Sequence, residues 1–241
     1  MKVNILGITV DTYSMQETVE RIRQAVNSQV QMRVVTANPE MIYASVRDQR
    51  LMNVINSADV VTADGIGVVW AARRLGTPVK ERVTGIDLVQ AIFPVANAEK
   101  WRIFFLGGKP GVAEQAANQV IATYPGIAWE AEHGYFRSED EAYVLEKIRH
   151  FQPDILLVGL GAPRQEHWIA EHPGLAKVSV GVGGSFDALA GLVIRAPKRL
   201  QELHVEWLYR LCKEPWRWKR QTVLPRFVAK VICQELWRKT P

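Results

Sequence analysis

Five short segments of the chain place glycines or polar side chains directly after an apolar run. They are residues 36–38, 63–65, 107–111, 159–164 and 181–185. Glycine lets backbone amides approach phosphate oxygens closely, and a helix that begins there adds free N–H groups and the positive end of its dipole. Each segment alone is better explained as a tight turn between a strand and a helix. Several together favour a phosphate-bearing ligand such as a nucleotide diphosphate.

Asp64 is the carboxylate best placed for acid–base chemistry, because it follows a short apolar strand and precedes Gly65. A carboxylate there could take a proton from an incoming hydroxyl, a role typically worth about 10²–10⁴ in rate. The alternative is a helix N-cap, since Asp accepts backbone amides well, and the spacing alone favours the cap. Thr36 and Asn38 also have two interpretations, hydrogen bonding to a sugar or helix capping.

A charged turn at Arg164 and Gln165 begins another predicted helix. Arg164 could hold phosphate and Gln165 a sugar hydroxyl, although a solvated first turn explains them equally well. The turn is no dinucleotide fingerprint, because Arg164 stands where the third glycine after Gly159 and Gly161 belongs, and no NTPase phosphate-binding loop occurs. The histidines lack metal-ligand spacing. We therefore expect neither a cofactor nor a metal.

These segments are connected by alternating strand and helix patterns up to about residue 195. Residues 2–6 and 8–10 predict a hairpin, and the capping box of Ser14 and Glu17 predicts a helix to about residue 27. Further strands are predicted at 33–37, 59–62, 101–106, 154–159 and 177–182, with helices beginning near Pro39, Ile66, Gly85 and Val112. This alternation predicts an α/β fold with a parallel sheet covered by helices on both faces.

The last 45 residues have a different composition. Residues 197–241 hold eleven Lys or Arg and four Asp or Glu, a net +7, whereas the whole chain carries +5, so the remainder carries −2. Four of the chain's eight tryptophans also lie in this stretch: Trp207, Trp216, Trp218 and Trp237. Two helical patterns without strands follow residues 195–197. We therefore predict an α/β domain at 1–196 and a basic helical appendage at 197–241.

The final predicted helix carries an apolar stripe beside cations. The stripe is Leu224, Phe227, Val228 and Val231, and the cations are Arg226, Lys230 and Arg238. This pattern suits the headgroup layer of an anionic membrane. A helix packed on the core is the second interpretation, and nucleic-acid binding through basic and aromatic residues is the third. The composition favours them in that order.

The rest of the sequence suggests a protein of the cytoplasm or of the inner membrane face. Its two cysteines do not form a disulfide framework. The N-terminus lacks the long apolar stretch of a signal peptide. No window approaches the roughly 20 apolar residues that a spanning helix needs.

The motifs resemble, in order, those of the WecG/TagA/CpsF family of bacterial glycosyltransferases, glycosyltransferase family 26. The matching segments are TANPE at 36–40, ADGIG at 63–67, ERVTG at 81–85, FLGG at 105–108, HGYF at 133–136, GLGAPRQE at 159–166, GVGGSFD at 181–187, RAP at 195–197, EWLYR at 206–210 and EPWRWKR at 214–220. Ala37 and Ile66 differ from the usual residues, but neither replaces a functional side chain. The ordered set covers nearly the whole chain, which makes the resemblance specific.

The resemblance implies a Rossmann-like catalytic domain with a helical C-terminal appendage, and inverting transfer without a required metal. Family members add N-acetylmannosamine, its uronic acid or glucose to undecaprenyl-diphosphate-linked sugars. The expected partners are therefore a UDP-sugar, a lipid-linked diphosphate acceptor and an anionic membrane surface, without nucleic acid. N-acetylmannosamine transfer for cell-surface polysaccharide or wall teichoic acid is the first expectation. The expected location is peripheral, on the cytoplasmic face of the bacterial plasma membrane, and a homo-oligomer remains open.

The resemblance also implies residue roles. It makes Asp64 the base, places Thr36 beside it and gives Gln165 an active-site position. The expected substrate-binding residues are Asn38, Arg82, Gly107, Gly108, Gly161, Arg164, Gln165, Gly183 and Gly184, together with three appendage arginines that reach the diphosphate, Arg210, Arg217 and Arg220. Two other classes compete with this interpretation. The missing dinucleotide fingerprint counts against an oxidoreductase, and Asp64 near the Thr36 segment counts against a non-catalytic membrane-binding module.

Overall fold

The computed structural model describes residues 1–193, 196–197, 200, 206–213, 218 and 222–239. Within them the strands are β1 (Lys2–Ile5), β2 (Ile8–Asp11), β3 (Met32–Ala37), β4 (Val60–Ala63), β5 (Arg102–Gly107), β6 (Ala128–Glu132), β7 (Ile155–Gly159) and β8 (Val178–Gly181). The helices are α1 (Met15–Ser28), α2 (Pro39–Ser45), α3 (Gln49–Asn56), α4 (Ile66–Arg74), α5 (Gly85–Glu99), α6 (Val112–Thr123), α7 (Glu141–Phe151), α8 (Arg164–Glu171), α9 (Ser185–Leu189), α10 (Glu206–Lys213) and α11 (Val223–Lys239).

Strands β3 to β8 form one six-stranded sheet in the order β4-β3-β8-β7-β5-β6, and every neighbouring pair is parallel. Strands β1 and β2 form a separate antiparallel hairpin. Because the sheet is parallel, the carboxyl ends of its strands meet at one edge. The five glycine-rich or polar segments follow β3, β4, β5, β7 and β8, so all of them lie at this edge.

Helices cover both faces of the sheet, as predicted. Alternate residues of each strand point to opposite faces. Phe105 belongs to the apolar cluster that includes residues of α1, α5, α6 and α9, whereas Phe104 belongs to the cluster that includes residues of α7 and α8. Likewise Val34 faces the first helix group, whereas Val35 packs with α2, α3, α4 and the hairpin. The observed architecture is the predicted α/β fold with a parallel sheet between two helical layers.

The final helix, α11, packs on this α/β body. Phe227 and Val231 are 0% exposed and belong to the same apolar cluster as the hairpin, α2 and α4. The Gln234 side chain accepts from the Leu6 amide at 2.9 Å and donates to the Asn4 carbonyl at 3.0 Å. The interpretation of the Leu224, Phe227, Val228 and Val231 stripe as a membrane face is therefore wrong for Phe227 and Val231. Val228 packs partly buried against the same cluster, and Leu224 is half-buried. Apolar residues at helical spacing suit a core as well as a membrane, so periodicity could not separate the two.

Other apolar side chains of the appendage are exposed. They are Leu208, Trp218, Leu236 and Trp237. Trp237 is 83% exposed, the highest value among them. Within the ranges described, the helices do not combine the length and apolarity that crossing a bilayer requires.

Replacing Phe227 with Ala should destabilise the whole protein. Loss of a buried Phe side chain costs about 3–5 kcal/mol in the free energy of unfolding, because it removes apolar contacts and leaves a cavity. Trp237→Ala is the matched control, since an exposed substitution changes this free energy by about 0.5 kcal/mol or less. Urea unfolding of both variants measures the difference. Equal midpoints for Phe227→Ala and wild type would contradict the packing of α11 on the body.

Candidate active site

The glycines at the carboxyl edge allow the backbones of neighbouring loops to touch. A Cβ added at Gly107 would lie 2.5 Å from the Gly159 carbonyl oxygen, and one at Gly159 would lie 2.9 Å from the Gly183 carbonyl oxygen. Larger residues cannot occupy these two positions without moving the strand ends apart. By contrast, a Cβ at Gly161 or Gly183 would meet nothing within 4 Å. The backbone at these two residues therefore borders open space above the sheet.

Asp64 lies where β4 ends and α5 begins. Its backbone N–H donates to the Ala37 carbonyl at 2.9 Å, which continues the pairing of β3 and β4 by one residue. Its carboxylate Oδ2 accepts the N–H of Gly85, the first residue of α5, at 3.3 Å. The residue before the next helix, α4, is Gly65. This contact joins Asp64 to the start of α5, and Asp64 is only half-buried.

Thr36 is near the same helix start as Asp64. Its hydroxyl is buried and donates to the Gly181 carbonyl at 3.2 Å. A Cβ on Gly85 would come within 3.3 Å of the Thr36 Oγ1 atom. Because Gly85 contacts both side chains, Thr36 and Asp64 belong to one cluster at the ends of β3, β4 and β8. A hydroxyl group and a carboxylate thus face the same helix start.

Asn38 and Arg82 flank this cluster. The Asn38 Oδ1 atom accepts the Met41 N–H at 2.9 Å, so Asn38 is the N-cap of α2, as the capping interpretation predicts. Arg82 is half-buried, and the next residue, Val83, donates to the Ala63 carbonyl at 3.1 Å. The segment that leads into α5 therefore runs along the end of β4.

Gln165 is inside the protein rather than in a solvated helix turn. It is 2% exposed, and its Oε1 atom accepts the Gly183 N–H at 3.0 Å. Its Nε2 atom donates to Glu166 Oε1 at 2.7 Å. The structure thus places Gln165 beneath the loop after β8, where it supports backbone groups of the edge. The Gly183 N–H is used by this contact.

Arg164 is exposed at the other side of the edge. Its Nη1 atom donates to the Gly134 carbonyl at 3.2 Å, and its guanidinium lies 5.3 Å from the centre of the Phe136 ring. These contacts hold the cation at the end of β6. Arg164 also lines a cleft of about 380 Å³ together with Phe136 and Trp168. It is therefore separated from the cluster of Thr36 and Asp64 by the loops after β7 and β8.

Glu166 is a buried charged residue that the sequence patterns do not single out. It is 2% exposed, and its Oε2 atom has no hydrogen-bond partner within the part of the chain that the structure describes. Removal from water raises the pKa of this carboxyl, against a smaller lowering by the Gln165 hydrogen bond. A glutamate in the first turn of a helix is ordinarily a solvated partner of the helix dipole. No signal in the local sequence distinguishes it from that case.

The raised pKa of Glu166 predicts a pH-dependent stability. The native carboxyl keeps its proton above 4.5, the value expected in the unfolded chain. Between these two pKa values the native state binds more protons, so stability falls as pH rises through the window. The melting temperature of wild type should therefore fall relative to that of Glu166→Gln as the pH rises above 4.5. A difference between the two proteins that does not change with pH would contradict a raised pKa.

The appendage arginines are only partly described. Arg210 belongs to α10, whereas Arg217 and Arg220 lie outside the described residues. The appendage nevertheless reaches the loops of the site through α11. A Cβ on Gly67 would lie 2.7 Å from Pro39 Cγ and 3.9 Å from Phe227 Cε1. Phe227 thus packs close behind the turns that carry Asn38 and Asp64.

Metal binding is not indicated by the residues that the structure describes. Within those ranges no three His, Cys, Asp or Glu side chains are grouped so that they could hold an ion.

Comparison with known proteins finds a matching family model and several relatives. A model of the Glycosyl transferase WecG/TagA/CpsF family matches residues 3–241. A Staphylococcus aureus (strain MRSA252) protein named N-acetylglucosaminyldiphosphoundecaprenol N-acetyl-beta-D-mannosaminyltransferase is 38% identical over 234 residues, which cover 95% of this chain and 92% of the relative. Proteins of the same name from strains MW2 and NCTC 8325 are 37% identical over the same length. This chain therefore belongs to the WecG/TagA/CpsF family of glycosyltransferases.

Proposed function

We propose that this glycosyltransferase moves N-acetylmannosamine from a UDP conjugate to N-acetylglucosamine carried on undecaprenyl diphosphate, with inversion at the anomeric carbon. The observation that carries the proposal is the cluster of Asp64, Thr36 and Gly85 at the edge where the glycine loops meet. The identity of donor and acceptor is supported by the names of the relatives that are 37–38% identical. Membership of a glycosyltransferase family counts against the two competing classes, an oxidoreductase and a non-catalytic membrane-binding module.

In the proposed reaction Asp64 is the general base. Its carboxylate takes the proton of the acceptor hydroxyl while that oxygen bonds to the anomeric carbon. The bond from this carbon to the diphosphate oxygen breaks, and its electron pair leaves with UDP. The Gly85 contact at 3.3 Å holds the carboxylate at the end of β4. Because the Thr36 hydroxyl lies beside the same residue, it is suited to orient the incoming sugar.

The leaving diphosphate needs positive charge on the opposite side of the reacting carbon. We assign this role to backbone amides of the loops that contain Gly107, Gly161 and Gly184, to Arg82 and Arg164, and to appendage arginines Arg210, Arg217 and Arg220. The N–H of Gly108 itself donates to the Gly159 carbonyl at 3.2 Å, so Gly108 contributes the shape of its loop rather than its own amide. An arginine can hold two phosphate oxygens at once through its planar fork. The packing of α11 behind Pro39 and Gly67 supports an appendage close to the site. If the appendage arginines complete the site only when the appendage is docked, the rate of sugar transfer depends on where the appendage lies.

The proposed location is peripheral, at the cytoplasmic face of the bacterial membrane. The appendage at 197–241 carries a net charge of +7, and its exposed apolar side chains include Trp218, Leu236 and Trp237. Cations attract anionic headgroups, and exposed Trp and Leu insert among them. Phe227 and Val231 connect this surface to the catalytic body at 1–196.

Offering several donors to the purified protein tests the proposed reaction. UDP-N-acetylmannosamine, its epimer UDP-N-acetylglucosamine, UDP-glucose and UDP-N-acetylmannosaminuronic acid are incubated separately with a short-chain lipid-diphosphate N-acetylglucosamine. We expect mass spectrometry to show a product one N-acetylhexosamine heavier, from the first donor only. A product formed instead from UDP-glucose or from UDP-N-acetylmannosaminuronic acid would show that this compound, and not UDP-N-acetylmannosamine, is the donor. No product from any donor would reject the proposed reaction.

EDTA should leave the initial rate within about twofold of that in untreated enzyme. The reason is that backbone amides and arginines supply the charge stabilisation that a metal provides in other sites. Rates measured before and after dialysis against EDTA, with and without added Mg²⁺ or Mn²⁺, check this. A loss of activity that either ion restores would show that a metal takes part.

A further inference from the structure

We propose that Glu166 is a positioning residue of the donor-binding edge: it orients the Gln165 side-chain amide, which holds the loop after β8 in place. This inference rests on the proposed function. It concerns a residue that does not itself reach the reacting atoms, since Glu166 is 2% exposed. Its effect is carried by Gln165.

The orientation of the Gln165 amide is set from two sides. The Gly183 N–H needs an acceptor and finds Gln165 Oε1 at 3.0 Å, so the NH₂ end must point elsewhere. Glu166 Oε1 receives that end at 2.7 Å. A flipped amide would put NH₂ against the Gly183 N–H and oxygen against oxygen. In a buried site an unpaired polar group costs about 1–3 kcal/mol, so the Glu166 contact favours one orientation.

This amide lies between the two halves of the edge. On one side a Cβ at Gly181 would come within 2.8 Å of Gln165 Nε2, and the Gly181 carbonyl accepts the Thr36 hydroxyl at 3.2 Å. On the other side the Gly183 carbonyl contacts Gly159, whose own carbonyl accepts the Gly108 N–H at 3.2 Å. A shift of the β8 loop would therefore move both Thr36 and the glycine loops.

Stability alone does not explain a carboxyl at this position. The Oε2 atom of Glu166 has no partner among the described residues, and burial raises its pKa. A cavity of about 10 Å³ beside it is lined mainly by apolar side chains, including Val35, Val54 and Ile169. An apolar side chain of similar length would fit such surroundings without the cost of desolvation. Such a side chain would lack the oxygen that accepts the hydrogen bond from Gln165 Nε2.

Four variants of the full chain test the proposal. Glu166→Met removes the acceptor, Glu166→Gln keeps one, Gln165→Met removes the amide, and Gln165→Met/Glu166→Met removes both. Glu171→Met, on an exposed residue of the same helix, is the control. We expect kcat/KM for UDP-N-acetylmannosamine to fall about tenfold or more in Glu166→Met, because loss of alignment near the reacting atoms is costly. Glu166→Gln and the control should stay within about threefold of wild type.

The double variant separates positioning from a general loss of structure. If Glu166 acts through Gln165, the double variant is no slower than Gln165→Met. Additive losses would overturn the proposal, as would wild-type kcat/KM in Glu166→Met or equal losses in Glu166→Gln and Glu166→Met. Should Glu166→Met lack a cooperative melt, Gln165→Asn tests the same bridge, because the shorter amide cannot reach both partners. Wild-type kcat/KM in Gln165→Asn would then overturn it.

Hydrogen exchange measures the positioning without any turnover. We expect amides in residues 181–185 to exchange faster in Glu166→Met than in wild type, and at the wild-type rate in Glu166→Gln. Unchanged exchange in Glu166→Met would overturn the proposal. Wild-type enzyme that turns over no donor would instead reject the proposed function, so the two failures are distinguishable.

Discussion

Replacing Asp64 with Asn should reduce the turnover number by about 10²–10⁴, the usual contribution of a general base. Asparagine has nearly the same shape, and its oxygen can still accept the Gly85 N–H that Asp64 Oδ2 receives at 3.3 Å. The variant therefore loses the ability to take a proton while the local structure stays intact. UDP affinity should remain within about threefold of wild type, because only the acceptor hydroxyl meets the base. Turnover at saturating acceptor and calorimetric titration with UDP measure the two effects.

Asp48→Asn is the control for this substitution. Asp48 caps α3 by accepting the Leu51 N–H at 3.0 Å, and Asn caps helices about as well as Asp. The control should keep wild-type turnover and an unchanged melt. More than a tenth of wild-type activity in Asp64→Asn would reject Asp64 as the base. A large loss of UDP affinity in Asp64→Asn would point to donor binding instead.

Sequence patterns predicted the elements that position the site because strand and helix signals there agree. The capping box of Ser14 and Glu17 forms both of its hydrogen bonds at the start of α1. Pro39 begins α2, as its missing N–H favours. Each polar segment follows a short buried strand, so a parallel sheet brings all five to one edge. By contrast, β6 has a single buried residue, Ala131, and its apolar pattern is too weak to predict a strand.

The details of the site depend on contacts between distant segments, which local patterns do not contain. Asp64 is a residue type that commonly caps the helix following it, but its carboxylate accepts the first amide of a helix that begins 21 residues later. Glu166 lies in the first turn of α8, where a glutamate is ordinarily solvated, but the packing of α8 buries its side chain. Phe227 and Val231 have helical spacing that fits a membrane, but α2, α4 and the hairpin cover them. In each case the residue type fits two interpretations equally well, and only the contact with a distant segment of the chain distinguishes them.

The burial of Phe227 and Val231 also decides how the appendage must be tested. Deleting residues 196–241 would remove both side chains from the core, so inactivity of the deletion would not distinguish chemistry from unfolding. Point variants in the complete chain avoid this problem. One set should remove the proposed diphosphate ligands, and the other should remove the exposed apolar side chains.

Changing Arg210, Arg217 and Arg220 together to Gln should lower turnover on a water-soluble acceptor by about 100-fold or more. Loss of even one donor to a developing negative charge costs about 10²–10³ in rate. The comparison is Arg47, Arg73 and Arg149 changed together to Gln, which removes the same charge from exposed positions of the catalytic body and should leave turnover unchanged. Equal activity of both triple variants would mean that the appendage arginines do not act at the site.

The second set changes Trp218, Leu236 and Trp237 to Gln. These side chains are exposed, so the fold should be retained, but co-sedimentation with vesicles that contain anionic lipid should fall sharply. Activity on the water-soluble acceptor should stay at the wild-type level, because none of the three supplies charge to the diphosphate. If vesicle binding persists, the membrane contact lies elsewhere on the chain. If soluble-acceptor turnover falls together with vesicle binding while the melt is unchanged, the two roles of the appendage share one surface and are not separable.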